Sequence, residues 1–156
     1  MKPYQKYSDK ALIPILKNII EALESQNMYM EEMSDIEGSF DELSYILTQE
    51  LNSYLSDVDF EDITYFMALI IMNDNFNPPL KRPELKTYQI THTYQRVDTV
   101  NYNYRTNMES YIPLDSSLLN ELRFEGYYEP FDGDLIDEDV INTDYTDDWI
   151  EDIEEI

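Results

Sequence analysis

The sequence predicts an α+β fold that is mainly α: an N-terminal three-helix bundle, one antiparallel β-hairpin, a short helix and an acidic C-terminal tail. Three observations carry this expectation. Apolar residues recur at helical spacing through the first half, two runs between residues 88 and 104 alternate with a period of two, and acids without any compensating cation fill the last fifth.

The first helix is marked by Leu16, Ile19, Ile20 and Leu23, with Met30 and Met33 continuing the stripe, and Pro14 suits its first turn. Gly38 stops it. Ser39-Phe40-Asp41-Glu42 then has the form of a capping box opening a second helix, whose buried stripe is Phe40, Leu43, Leu47, Leu51, Tyr54 and Leu55. Asp59 is the expected N-cap of a third helix, with Asp62 three residues on. Ile63 to Met72 is apolar nearly all round, so this helix is expected to be the most buried.

The period then changes. Tyr88, Ile90, His92 and Tyr94 alternate with Thr87, Gln89, Thr91 and Thr93; after Gln95-Arg96-Val97-Asp98, Val100, Tyr102 and Tyr104 alternate with Thr99, Asn101 and Asn103. Such runs read as a hairpin with one aromatic and one Thr/Asn face, which needs packing partners because a lone hairpin is marginal in water. A short helix is expected from about Ser116 to Arg123, carrying Leu118, Leu119 and Leu122. Beyond Gly126, apolar residues interrupt the acids throughout, and Trp149, Ile153 and Ile156 fall on one helical face. That pattern suggests a segment that stays open until an apolar groove, on a partner or on its own core, receives it. The resulting organisation is a helical core over 1–78, a hairpin packed on it over 79–112, the short helix over 113–123 and the acidic–hydrophobic tail over 124–156.

Charge is the feature that bears on function. Thirty-four acids against ten Lys and Arg leave a net charge of −24 over 156 residues. From Asn18 to Leu80 fourteen acids occur with no Lys or Arg, and the same is true from Phe124 to Ile156. Solvated helices ordinarily mix both signs, so two long cation-free blocks favour a functional acidic surface over plain solubility. Such a surface is repelled by anionic lipid and by nucleic acid, so neither a membrane nor direct nucleic-acid binding is expected. The longest apolar run falls far short of the roughly 20 residues of a spanning helix, and no apolar run follows Met1–Tyr7 to make a signal peptide. The expected location is the cytoplasm, that of a host cell if a phage encodes the chain.

Catalytic chemistry finds little footing. With no cysteine, disulfides, thiolate metal sites and cysteine nucleophiles are excluded. The run Asp132-Gly133-Asp134-Leu135-Ile136-Asp137-Glu138-Asp139 lacks the spacing of a calcium loop, since Ile136 occupies its fifth position and no Gly its sixth. Paired carboxylates are inevitable among so many acids and carry no glycosidase signal by themselves. The single histidine, His92, sits in strand alternation among aromatic residues, where packing explains it better than general-base chemistry. The three glycines form no phosphate loop. No catalytic residue, metal or cofactor is expected.

The candidate binding residues are therefore acids in rows. Glu21, Glu24, Asp41, Glu42, Glu50, Glu61 and Asp62 fall on or near outward helix faces. In the tail, Asp137, Glu138, Asp139, Asp147 and Asp148 accompany Trp149 and Ile153, the Trp as an anchor for docking. The reading is a non-catalytic protein that mimics nucleic-acid charge and inhibits a basic nucleic-acid-binding protein such as a nuclease, polymerase or host-defence effector. In charge and size it looks like the small acidic inhibitors that phages and mobile elements carry against host defence, and like nuclease immunity proteins; no family motif matches residue by residue. The alternative, from another class, is a structural or accessory subunit of a larger assembly such as a phage head-tail connector, which would associate with copies of itself.

Overall fold

In a computed structural model of the chain, residues 7–26, 40–73, 79–95, 100–124, 126–128, 133–140 and 148–156 are described. They form helices α1 (Asp9–Ser25), α2 (Phe40–Leu51) and α3 (Phe60–Met72), strands β1 (Lys86–Gln95) and β2 (Val100–Ser110), helix α4 (Ser116–Phe124), and strands β3 (Asp134–Val140) and β4 (Asp148–Glu155). Two compact units divide the chain, Met1–Glu84 and Leu85–Ile156.

In the first unit, apolar spacing makes the helices amphipathic. α1 buries Leu12, Leu16, Ile19 and Leu23, and α2 buries Phe40, Leu43, Ile46, Leu47 and Leu51. α1 begins earlier than expected, so Pro14 lies inside it rather than in its first turn. The missing N–H leaves the carbonyl four residues back without its usual helical partner. Tyr54 departs from the expected stripe of α2: it is 36% exposed, and its hydroxyl accepts a hydrogen bond from Asn18 Nδ2 at 3.0 Å. The expected capping residue Ser39, the glycine stop at Gly38, and Met30 and Met33 lie outside the described residues.

α3 is buried almost all round, from Asp62 to Ile70. Its start is fixed by a reciprocal cap. Asp62 N donates to Asp59 Oδ1 at 3.0 Å, and Asp59 N donates to Asp62 Oδ2 at 3.1 Å. These bonds satisfy amides that the first helical turn leaves without partners, and two carboxylates there suit the helix dipole. At the other end the buried Asn73 side chain donates to Leu69 O and to Lys81 O, each at 2.8 Å, and accepts from Lys81 N at 2.9 Å. One amide thus clamps the chain leaving the helix to the chain returning beside it.

The second unit overturns the expected fold class. It is not a mainly helical fold with one hairpin and a tail: a four-stranded antiparallel sheet in the order β3-β2-β1-β4 dominates, and the acidic C-terminal segment supplies both edge strands. Trp149, Ile153 and Ile156 accordingly do not lie along a helix; Trp149 and Ile153 stand in β4. The hairpin pairs without a break from Lys86↔Ser110 to Gln95↔Asn101, which gives each strand of acids a regular ladder to join. β4 pairs with β1 from Tyr88↔Glu155 to Tyr94↔Asp148, and β3 pairs with β2 from Val100↔Val140 to Arg105↔Asp134. Asp115 caps α4, accepting from Leu118 N at 2.8 Å, and Leu118, Leu119 and Leu122 are buried. Gly126, at φ +79, closes that helix: its N–H donates to Arg123 O, and Tyr127 N donates to Leu122 O.

Two measurements test these anchors. Asp59→Ala removes one half of the α3 cap and is expected to cost about 1 kcal/mol, read as a lower urea midpoint with unchanged slope. The second concerns Tyr65, whose phenol is pushed above the usual tyrosine range by burial, with the Arg82 guanidinium opposing the rise. Arg82 is itself held by Asp9 Oδ1, at 2.8 Å from Nε, and by Tyr7 O, at 2.6 Å from Nη2. The unfolded chain loses its phenolic protons near pH ~10 while folded Tyr65 retains its own. Stability from the buried neutral phenol is therefore complete below that pH and is lost as pH rises toward the folded value. Tyr65→Phe should begin from a lower midpoint and fall less steeply through that alkaline range; an equal slope in both proteins would remove Tyr65 as the cause.

Candidate functional site

Strand alternation and the observed register divide the sheet into two faces. On one lie Tyr88, Ile90, His92 and Tyr94 of β1 opposite Met108, Thr106, Tyr104 and Tyr102 of β2. The rings stack, with centroids 5.2 Å apart for Tyr94 and Tyr102, 5.5 Å for Tyr94 and Tyr104, and 5.8 Å for His92 and Tyr104. His92 is 1% exposed. It is a packed member of the aromatic row.

The other face carries Thr87, Gln89, Thr91, Thr93 and Gln95 opposite Glu109, Asn107, Arg105, Asn103 and Asn101. Its two edges are acidic. β3 sets Asp139, Asp137 and Asp134 opposite Asn101, Asn103 and Arg105; β4 sets Asp152 and Glu154 opposite Thr91 and Gln89. Each edge strand contains one unpaired extra residue, Ile136 in β3 and Glu151 in β4, where the register shifts. The Glu151 bulge brings that carboxylate back over the same face. Thr93 Oγ1, on a residue 1% exposed, lies 2.8 Å from Glu151 Oε1 and 2.6 Å from Asn103 Oδ1. The single proton of this buried hydroxyl is shared between an acceptor on β2 and one on β4. Three strand spacings of about 4.8 Å place the two acidic edges roughly 14 Å apart, and same-face residues along an edge follow every ~6.8 Å. Arg105 is the one cation of this face among the described residues, and it borders a cavity of about 380 Å³ with Gln89, Asn107 and Asp134.

The residues singled out in the sequence are dispersed. Glu21 and Glu24 of α1 and Glu42 of α2 are exposed, while Glu50 and Glu61 are half-buried. Asp62 is not an outward acid: at 3% exposure it serves the α3 cap. Asp41, Asp148 and Trp149 lie in α2 and β4, but their side chains are outside the described set, as is the whole of Asp147. Asp137, Glu138 and Asp139 are exposed on β3, with Asp137 and Asp139 on the acid-edged face and Glu138 opposite Tyr102 on the aromatic one. Ile153 is half-buried opposite Ile90. Sequence reasoning missed Asp134, Glu151, Asp152 and Glu154, because only pairing with the hairpin reveals that they share a face with Asp137 and Asp139. Among the described residues no group of His and acids is arranged to hold a metal ion, and no helix is long and apolar enough to cross a membrane. In comparisons with known proteins, no family model matches this chain, and no curated protein or solved structure matches it.

The Thr93 bridge gives a direct test. Thr93→Val keeps the shape but leaves Glu151 and Asn103 without the hydroxyl, at a cost of about 1–3 kcal/mol for a buried group left unpaired. Faster amide exchange concentrated in β4 is the expected result; uniform exchange throughout the sheet would contradict the bridging role.

Proposed function

We propose that this protein is a non-catalytic inhibitor that presents nucleic-acid-like charge to a basic nucleic-acid-binding protein. The observation that carries the reading is the acid-edged sheet face. Its carboxylates stand in two rows on hydrogen-bonded strands, separated by a floor of Thr, Asn and Gln that also holds Arg105 and Glu109. Their separation of roughly 14 Å is close to the ~12 Å width of the major groove of duplex DNA, which phosphates border on both sides. A cleft built to neutralise phosphates with Lys and Arg meets a comparable array here, and a net charge of −24 speeds the encounter. The acids of α1 and α2 add to that long-range field, while the sheet face makes the short-range contacts.

The test is retrieval of partners from host lysate at low salt, followed by salt elution and competition with duplex DNA. A basic nucleic-acid-binding protein, released by salt and displaced by DNA, is the expected catch. The joint change Asp137→Asn, Asp139→Asn and Asp152→Asn should weaken that complex on the order of tenfold, and Glu21→Gln with Glu24→Gln much less. Recovery only of copies of this chain or of assembly subunits, resistant to salt, would sink the inhibitor reading in favour of an accessory subunit.

A further inference from the structure

Burial across the sheet is graded. Tyr88, Ile90, His92 and Tyr94 of β1 are buried, Tyr102 and Tyr104 of β2 are half-buried, and β3 is exposed from Asp134 to Asp139. The aromatic face therefore runs outward to an uncovered margin. Leu135, opposite Tyr104, is 52% exposed, and the bulged Ile136 is 42% exposed. β3 is also a terminal strand, so among the described residues no strand pairs with its outer edge. Exposed edges carry rows of backbone donors and acceptors ready for another chain.

The two edges of the sheet differ. β4 is tied in by Lys86 Nζ, 3.0 Å from Glu155 Oε1, and by the Glu151–Thr93 bond. β3 combines backbone, apolar side chains and acids along one strand; of its amides, Glu138 N already donates to Asp137 Oδ1 at 2.9 Å, a bond that an added strand would replace. Its Asp134, Asp137 and Asp139 lie on one face, and Leu135 and Glu138 lie on the other.

On the reading that the partner is basic, we infer that the outer edge of β3 receives an extended segment of that partner as a fifth strand, in which Lys or Arg alternates with apolar residues. The basic side chains meet Asp134, Asp137 and Asp139, and the apolar ones extend the row from Tyr104 through Leu135. Backbone hydrogen bonds supply affinity, and the alternation supplies register. Charge selects against the other obvious occupant. A second copy of β3 would lay Asp and Glu against Asp and Glu, which like-charge repulsion across a ladder opposes.

The probe is an acetylated, amidated peptide of alternating Lys and Val, seven residues long, beside the same peptide N-methylated at every residue. The two share charge and side chains, but only the first can join a ladder. With the full isotope-labelled chain near physiological salt, the unmethylated peptide should shift Asp134–Val140 amides and slow exchange of the outward ones at least tenfold. It should also bind at least tenfold more tightly than its methylated counterpart. Leu135→Thr with Ile136→Thr should weaken binding severalfold while leaving the β2 amide spectrum unchanged. Equal binding of both peptides, spread over the acids of both units, would overturn edge pairing while leaving the acidic-inhibitor reading intact. Failure of both peptides and of poly-lysine to bind would overturn both. Protection of β3 that grows with the chain's own concentration would hand the edge to a second copy and overturn the inference.

Discussion

The β1–β2 ladder is the constraint on which the carboxyl-terminal half depends. Asp and Glu are poor strand residues by themselves, and neither Asp134–Val140 nor Asp148–Glu155 has the β-branched, aromatic composition that forms strands unaided. The hairpin has it. Thr, Tyr and Ile make up most of Thr87–Tyr94, and Val100, Tyr102, Tyr104 and Thr106 alternate with polar residues along Val100–Asn107. Its paired backbone presents two open edges, and the acidic segments complete those edges at the cost of their own conformational freedom. What they gain is backbone pairing along each ladder and the placement of Ile150, Ile153 and Leu135 beside an aromatic row.

The strand order also limits self-repulsion. Were β3 and β4 neighbours, acids would stand directly opposite acids. In the order β3-β2-β1-β4 they are as far apart as four strands allow, and each meets mainly neutral partners: Asp137 faces Asn103, Asp139 faces Asn101, Asp152 faces Thr91 and Glu154 faces Gln89. Of the strands' two cations, Arg105 stands opposite Asp134 at the end of the β3 row, and Lys86 pairs with Glu155 on the aromatic face. Acidic edges also deter uncontrolled pairing between copies, as charged edge strands do generally.

Much of the local structure was legible in the sequence. The stripe Leu16, Ile19, Leu23 marks α1; Asp59 and Asp62 mark the start of α3; the alternation from Tyr88 to Tyr104 marks the hairpin with its two faces. The tail was not, for a specific reason. Trp149 and Ile153 are four apart, which reads as helical spacing, yet they stand opposite Thr93 and Ile90, which are three apart. The extra residue Glu151 absorbs the difference. In β3 the bulge at Ile136 likewise puts Leu135 and Ile136 side by side and erases the alternation. A bulge changes the apparent period of a strand without changing the face it serves, and nothing local announces it. The candidate surface shared that fate: the acids of β3 and β4 become one face only through partners that lie far away in sequence. Asp62 shows the converse, an acid whose capping role outweighs its apparent place on an outward face.

A disordered acidic tail and an acidic sheet carry the same charge but differ in what binding costs. Each flexible residue that a partner must order loses conformational entropy at the moment of binding. Strands already paired with β1 and β2, β4 with the further Thr93–Glu151 bond, have met that cost during folding. Their carboxylates are spaced by the backbone repeat, so a partner selects for matching geometry as well as for opposite charge. Net charge alone gives fast, salt-sensitive encounters with any basic protein. On the proposed reading, fixed spacing on a paired backbone would let one basic surface be preferred over another, and the pairing of the acidic segments would then matter more to recognition than the number of acids they contain.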